Sequence, residues 1–329
     1  MTARPQRAVV PARVGLVGNP SDGYGGAVLA AVVDTWAAEA HVTPTPGVVR
    51  LRSRTAGAAE WPSAGELVAD VAARRADAPH GVAAAALAAL DAHLDGGVPG
   101  VEVEWSSTVP RSVGLAGSSA IAIAVIEAVG VLAGGPVDPR VVAALALDAE
   151  VRWMGIAAGW QDRIVQAHRG AVLVDAGDMS TSVEGRAVPA VRRLPGFAVD
   201  AVVGWRADDR ESSAVYHAAL RGRAAEGRVA DGMVRLGELA RRAAASVAGR
   251  DAAGLRELVD ESWRTRCDTA PLAPRHAALV EAVRAAGVAA TSPGSGGSVV
   301  ALPADPGAAA RAIAVLRAVG ARAASVELG

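Results

Sequence analysis

Lysine is missing from this chain, so its 33 basic residues other than histidine are all arginines. That absence excludes a Walker A loop, which places Lys after its final glycine, and it excludes Schiff-base catalysis. Cys267 is the only cysteine, so the chain can form no internal disulfide and no cysteine-based metal site. We therefore expect a cytoplasmic protein in which any phosphate is bound by Arg, Ser hydroxyls and backbone amides.

Aromatic residues and long apolar runs are also scarce. Aromatics make up 3% of the chain although 51% of its residues are hydrophobic. The most apolar stretch, residues 121–131, contains Glu127 and Gly130 and is too short to span a bilayer. The formal net charge is −1 and no basic run stands out, which argues against nucleic acid as a partner. We expect a monomer or homodimer that binds a small molecule and neither nucleic acid nor membrane.

The spacing of apolar residues predicts a mixture of strands and helices. Strands are predicted at residues 9–17, 100–106, 197–203 and 298–302, and helices at 120–132, 140–154 and 306–319. Residues 27–38 fit a helix or a strand, and residues 52–60 are typical of a loop. Because strands and helices do not alternate strictly, the pattern favours an α+β fold over a doubly wound sheet. The polar segment 177–189 predicts a boundary between domains 1–185 and 186–329.

A loop rich in Gly and Ser connects the predicted strand 100–106 to the predicted helix that follows. Gly114 and Gly117 allow a tight turn and a close approach of the backbone to a ligand. Ser118 and Ser119 stand at the expected helix start, where unpaired N–H groups and the helix dipole favour an anion such as phosphate. Taken alone, the same pattern is more often an N-capped helix after a flexible loop.

Two other segments change that assessment: PARVGLVGNPSDGY at residues 11–24 and TSPGSGGSVV at residues 291–300. Together with VPRSVGLAGSSA at 109–120, and in this order, they resemble the three motifs of the GHMP kinases, the family of galactokinase, homoserine kinase and mevalonate kinase. The forms RVGLVGNPSDGYGG, VPRSVGLAGSSAI, GWQDRIVQ and GSGGSVV are most similar to its glucuronokinase branch. Each motif alone is weak evidence for this family, whereas the three motifs in this order are specific for it.

The resemblance implies an α+β fold, with a ribosomal-protein-like N-terminal domain and a ferredoxin-like C-terminal domain. It implies transfer of the γ-phosphate of ATP, with Mg²⁺, to an alcohol. In this branch the acceptor is the anomeric hydroxyl of a sugar acid, and D-glucuronate is the expected substrate. The resemblance also implies which residues bind the nucleotide: Pro110, Gly114, Leu115, Ala116, Gly117, Ser118 and Ser119.

The resemblance also assigns the metal and the catalytic groups. Ser119 and Glu150 are expected to hold Mg²⁺, and Asp162 to position or deprotonate the acceptor hydroxyl. Arg13 is expected to stabilise the developing alkoxide, because an arginine cannot act as a base. The residues alone leave other interpretations open, since Glu150 also fits a solvated helix face and Asp162 a helix N-cap.

The acceptor is expected to contact the first and third motifs and two nearby arginines. The expected residues are Asp22, Tyr24, Arg111, Arg163, Gly294, Ser295 and Gly296. Asp22 also fits a simple turn in Asn-Pro-Ser-Asp-Gly. The third motif departs from the family pattern, because Pro293 replaces the usual Thr or small residue and offers neither a hydroxyl nor an N–H.

Two alternatives to a sugar-acid kinase remain. One is a GHMP kinase for another sugar or small alcohol. The other is a catalytically silent relative that senses a ligand. Retention of Arg13, Ser119, Glu150 and Asp162 argues against the silent relative, since a sensor needs a pocket but no base.

Overall fold

The computed structural model describes residues 5–134, 138–206, 213–223 and 226–329. Contacts divide the chain into two compact units, each built from segments that are separated in sequence. Unit 1 comprises Met1–Pro11, Trp36–Val109 and Gly117–Ala158, and unit 2 comprises Ala12–Thr35, Pro110–Ala116 and Gly159–Gly329. The units therefore interleave along the sequence, and the division into domains 1–185 and 186–329 stays a prediction.

Strands and helices are numbered in chain order over the described residues. The strands are β1 Gln6–Val17, β2 Ala27–Pro44, β3 Val49–Ser53, β4 Gly57–Trp61, β5 Val101–Ser107, β6 Val172–Asp175, β7 Thr181–Val183, β8 Arg186–Val188, β9 Ala190–Arg193, β10 Val199–Trp205, β11 Ala289–Thr291, β12 Ser298–Leu302 and β13 Arg322–Leu328. The helices are α1 Ala64–Arg74, α2 Val82–Asp91, α3 Gly117–Ala133, α4 Pro139–Asp148, α5 Gln161–His168, α6 Ser213–Gly222, α7 Gly227–Ala248, α8 Ala252–Thr269, α9 Pro274–Ala285 and α10 Pro306–Ala318.

Unit 1 combines a sheet with alanine-rich helices. The second half of β2 runs antiparallel to β5, while β3 is parallel to β5 and antiparallel to β4. Helix α2 is buried along its length from Ala83 to Leu90 and packs against α1, α3 and α4. Its small side chains allow close approach of neighbouring helices on several sides, which explains a helix with no solvated face.

Unit 2 contains an antiparallel sheet covered by helices. Strand β10 lies between β12 and β13, and β11 extends the sheet beyond β12. The first half of β2 pairs with β6, which also pairs with β9. Trp263 of α8, Leu279 of α9 and Leu316 of α10 lie in one buried cluster with the inward residues of this sheet. Asp305 caps α10 by accepting a hydrogen bond from the Ala308 amide at 2.8 Å.

The predicted elements and the observed ones agree at residues 298–302, where β12 has the predicted bounds. Residues 27–38 are a strand, because β5 and β6 pair with β2 and settle what local propensity left open. The loop predicted at residues 52–60 is wrong in part, since Gly57–Trp61 forms β4 against β3. The helix predicted at 140–154 is confirmed as helical, because α4 ends at Asp148 and a π-helical turn continues directly at Ala149–Trp153; the prediction missed only the change of helix type.

Within the described ranges, no helix combines the length and the apolar composition needed to cross a bilayer.

The core of unit 2 yields a stability prediction. Leu316 is fully buried, so Leu316→Ala should lower the free energy of unfolding by about 2–5 kcal/mol through lost burial and the cavity left behind. Val319, three residues later, is 36% exposed, so Val319→Ala should cost less than about 0.5 kcal/mol. Denaturant unfolding of both variants measures the difference, and equal losses would contradict the packing described for α10.

Candidate active site

Arg13 is a buried cation in the middle of an apolar strand. It lies in β1 beside Val14 and is 5% exposed. Its Nε donates to Asp162 Oδ1 at 2.7 Å, and its Nη1 donates to the carbonyl oxygens of Gly114 and Pro293, both at 2.8 Å. One guanidinium therefore holds together the start of α5 and the loops of the second and third motifs.

The carbonyl groups of the Gly114 loop all accept hydrogen bonds from neighbouring elements. The Leu115 carbonyl accepts from the Arg13 amide at 3.3 Å, and the Ala116 carbonyl accepts from Gln166 Nε2 at 3.0 Å. In a trans peptide the N–H points opposite to the C=O. The amides of Leu115, Ala116 and Gly117 therefore point away from these partners, an arrangement suited to an anion.

Arg266 holds the third-motif loop in a similar way. This side chain is 2% exposed and donates to the carbonyls of Ser292 at 2.9 Å and Gly294 at 2.6 Å. Its guanidinium also lies 5.7 Å from the ring centroid of Tyr216. Sequence reasoning missed Arg266. The signal was available, because Arg266 shares the apolar face of α8 with Trp263.

Glycine is required where the two loops meet. A Cβ on Gly294 would lie 2.4 Å from the Gly114 carbonyl oxygen, and a Cβ on Gly114 would lie 2.9 Å from that of Gly296. Gly114 has a φ of 79°, which also favours glycine. Ser298 Oγ donates to the Val113 carbonyl at 2.5 Å. These contacts bring the second and third motifs together as one surface within unit 2.

The carboxyl group of Asp22, from the first motif, is buried against the first residue of α5. Its Oδ2 accepts a hydrogen bond from the Gln161 amide at 3.0 Å, and the residue is 8% exposed. Burial raises the pKa of Asp22 to about 6, with the hydrogen bond from Gln161 opposing this and the charge of Asp162 adding to it. Asp22 is therefore more than a turn residue.

Arg163 is the second buried guanidinium near Asp162. Its Nη1 donates to the Gly159 carbonyl at 2.9 Å and lies 3.6 Å from Asp162 Oδ2. Burial lowers the pKa of Arg163 to about 9, and the charge of Arg13 acts in the same direction. The N-cap interpretation of Asp162 is wrong, because the N-cap of α5 is Trp160 and the Asp162 carboxylate pairs with Arg13.

The other residues predicted to contact the acceptor differ in exposure. Tyr24 is half-buried in a short 3-10 helix and packs against the buried apolar cluster that includes Met233 and Leu236. Burial raises the pKa of Tyr24. Arg111 is exposed, ahead of the Gly114 loop. Ser295 and Gly296 continue the third-motif loop, where a Cβ on Gly296 would clash with His276 Nδ1 at 2.2 Å.

The predicted metal ligands and the helix-start serines lie in unit 1. Ser118 and Ser119 are in the first turn of α3, and Ser119 is 1% exposed. Glu150 lies in the π-helical turn and is 3% exposed, so the solvated-face interpretation is wrong. One hydroxyl and one carboxylate fit Mg²⁺, which binds oxygen and takes further ligands from phosphates and water. The described ranges contain no group of three or more His, Cys, Asp or Glu residues able to hold a metal.

Two family models match the sequence in the expected order. The model of the GHMP kinases N terminal domain matches residues 81–170, and that of the GHMP kinases C terminal domain matches residues 238–322. The chain belongs to the GHMP kinase superfamily. The members of this superfamily are ATP-dependent phosphotransferases with alcohol acceptors. No curated protein sequence matches this GHMP kinase significantly.

Solved structures agree with the GHMP kinase fold over nearly the whole chain. The mevalonate kinase of Methanococcus jannaschii is 15% identical, with a TM-score of 0.77 and 100% of both chains covered. The Lactococcus lactis galactokinase complexed with galactose is 19% identical, with a TM-score of 0.81, covering 100% of this chain and 94% of that chain. The Streptococcus pneumoniae phosphomevalonate kinase in complex with phosphomevalonate and AMPPNP is 14% identical, with a TM-score of 0.78 and 97% and 99% covered. The two-domain GHMP kinase fold, with mixed helices and strands, is confirmed.

The raised pKa of Asp22 predicts a pH-dependent cost in stability. Between the ordinary carboxyl pKa of 3.8 and about 6, the folded protein holds a proton that the unfolded chain has lost. The contribution of Asp22 to the free energy of unfolding therefore falls as the pH rises through about 6. Asp22→Asn removes the cost, so the variant should exceed wild type by up to about 3 kcal/mol at pH 8 and by much less at pH 4.5.

The matched control is Asp231→Asn, which changes an exposed carboxylate on α7. Denaturant unfolding of both variants and wild type at the two pH values measures the effect. An advantage of Asp22→Asn that is the same at pH 8 and pH 4.5 would show that the Asp22 carboxyl is not kept neutral by burial.

Proposed function

We propose that this GHMP kinase is an ATP-dependent sugar 1-kinase that phosphorylates the anomeric hydroxyl of a sugar acid, D-glucuronate. The observation that carries the proposal is the Arg13–Asp162 ion pair. Its Arg13 Nη2 and Asp162 Oδ1 atoms are 2.5 Å apart, and the same guanidinium binds the carbonyls of both glycine loops. Phosphoryl transfer needs a phosphate cradle, cations and a group on the attacking hydroxyl, and this arrangement supports the last two.

Asp162 is the group proposed to act on the acceptor hydroxyl. Arg13 fixes its Oδ1, while the side chain remains 22% exposed and can meet a substrate. The acceptor O–H gives its proton to the Asp162 carboxylate as the oxygen forms its bond to the γ-phosphorus and the bond to the ADP oxygen breaks. Arg13 stabilises the negative charge that develops on the attacking oxygen.

The nucleotide is assigned to the loop from Pro110 to Ser119. The amides of Leu115, Ala116 and Gly117 would donate to phosphate oxygens, as would the first turn of α3. Ser119 and Glu150 would hold Mg²⁺, which when bound neutralises phosphate charge. The phosphomevalonate kinase named above was solved with AMPPNP, which supports ATP as the donor.

A sugar acid is favoured over a neutral sugar by the arginines at the site. A carboxylate entering a desolvated cleft needs a charged partner, and Arg163 and Arg111 are the proposed partners. Asp22, Tyr24 and the amides of Gly294, Ser295 and Gly296 would bind hydroxyl groups. The galactokinase named above was solved with galactose, so a neutral sugar is the main alternative acceptor.

Asp162→Asn tests the catalytic assignment, because it keeps the size of the side chain and removes its charge. Loss of general-base assistance should lower kcat by about a hundredfold or more, with the KM for ATP nearly unchanged. Asp178→Asn, which alters an exposed carboxylate in the same unit, is the control and should retain wild-type kcat. Steady-state kinetics measure both, and near-normal kcat in Asp162→Asn would refute the role of Asp162.

The substrate assignment predicts a preference that depends on arginine. Wild type should use glucuronate with a kcat/KM at least about a hundredfold above that for glucose or galactose, since a site built to pair a carboxylate loses that charge-assisted contact with a neutral sugar. Arg111→Ala and Arg163→Ala should lose most of that preference, with circular dichroism checking that each folds. Product position is read by phosphorus NMR. Equal use of a neutral sugar by wild type would favour the alternative acceptor.

A further inference from the structure

The Nε2 atom of the Gln161 side chain is a buried hydrogen-bond donor. Gln161 is 3% exposed, and among the described residues its Nε2 contacts no acceptor. A buried donor that has lost water and found no partner destabilises the folded protein. Such a group in a folded protein calls for a physical explanation.

The position of this amide connects it to the candidate active site. Gln161 precedes Asp162 at the start of α5, and its backbone N–H donates to Asp22. A Cβ on Gly15 would lie 2.7 Å from Gln161 Nε2 and 2.9 Å from the Pro293 carbonyl oxygen. Gly15 and Arg13 are two residues apart in β1 and so share a face of the strand. The unpaired amide therefore lies on the face of β1 that carries Arg13.

A second glutamine on the same helix provides a comparison. Gln166 is fully buried, and its Nε2 donates to the Ala116 carbonyl at 3.0 Å. Gln166 thus connects α5 to the proposed nucleotide loop by a completed hydrogen bond. Gln161 has the same chemistry and similar burial, yet its donor faces the cluster of Gly15 and Pro293 without a partner.

We propose that Gln161 is a specificity residue whose Nε2 donates a hydrogen bond to an oxygen of the acceptor next to the reacting hydroxyl. This inference rests on the proposed kinase function and adds a contact to it. Asp22 and Gln161 then bind the acceptor as a pair, one through a carboxyl group and one through an amide. A polyhydroxylated acceptor satisfies the amide, whereas an acceptor with a hydrocarbon group at that point leaves it unpaired.

The test replaces each glutamine by methionine, which keeps the chain length and removes the amide. Without ligand, Gln161→Met should have a Tm equal to or above that of wild type, because an unsatisfied buried donor is lost. With D-glucuronate as the acceptor, its kcat/KM should fall about tenfold or more, mainly through KM for the sugar acid, while the KM for ATP stays near wild type. The control Gln166→Met should instead lower the Tm and raise the KM for ATP.

The outcomes separate this inference from the proposed function. A Gln161→Met variant with unchanged acceptor kcat/KM, in an active wild-type background, would overturn the inference alone. A Tm loss as large as that of Gln166→Met would also overturn it, since the amide would then be paired within the protein. A wild-type enzyme that consumes no ATP with any sugar or sugar acid would overturn the proposed function and this inference with it.

Discussion

The burial of one charge, that of Arg13, is the constraint on which the rest of the site depends. A guanidinium inside an apolar strand is stable only if its donors are satisfied. Asp162, Gly114 and Pro293 satisfy them, and these partners are 149, 101 and 280 residues away in sequence. The need to pair this charge thus gathers the three sequence motifs around one side chain.

Arginine suits this role because its planar fork can donate in several fixed directions at once. Arg266 shows the same use, since it joins α8 to the Ser292 and Gly294 carbonyls. Both of these buried arginines therefore use several donors at once to join separate segments of the chain. The two buried guanidinium groups thus bind backbone carbonyls of both glycine loops.

The site also carries costs that the core must offset. Asp22 is buried with a raised pKa, Arg163 is buried with a lowered one, and Gln161 Nε2 has no hydrogen-bond partner within the described part of the chain. Each of these is unfavourable for the folded state by itself. Unfavourable buried polar groups that cluster beside an ion pair are typical of sites shaped for a ligand. The burial of many apolar side chains in each of the two units offsets these unfavourable contributions.

The sequence by itself determined the three motifs, the α+β class and elements with strong local patterns, such as β12, because these depend on residue type and spacing. It predicted roles in the reaction for Arg13 and Asp162 only through the family resemblance. Tertiary structure decided what local pattern left open: β2 is a strand because β5 and β6 pair with it. It also decided that Glu150 is buried, that Arg266 holds the third loop and that Gln161 Nε2 meets no acceptor among the residues the structure describes. Those features depend on contacts between residues far apart in the chain, which no local window of sequence contains.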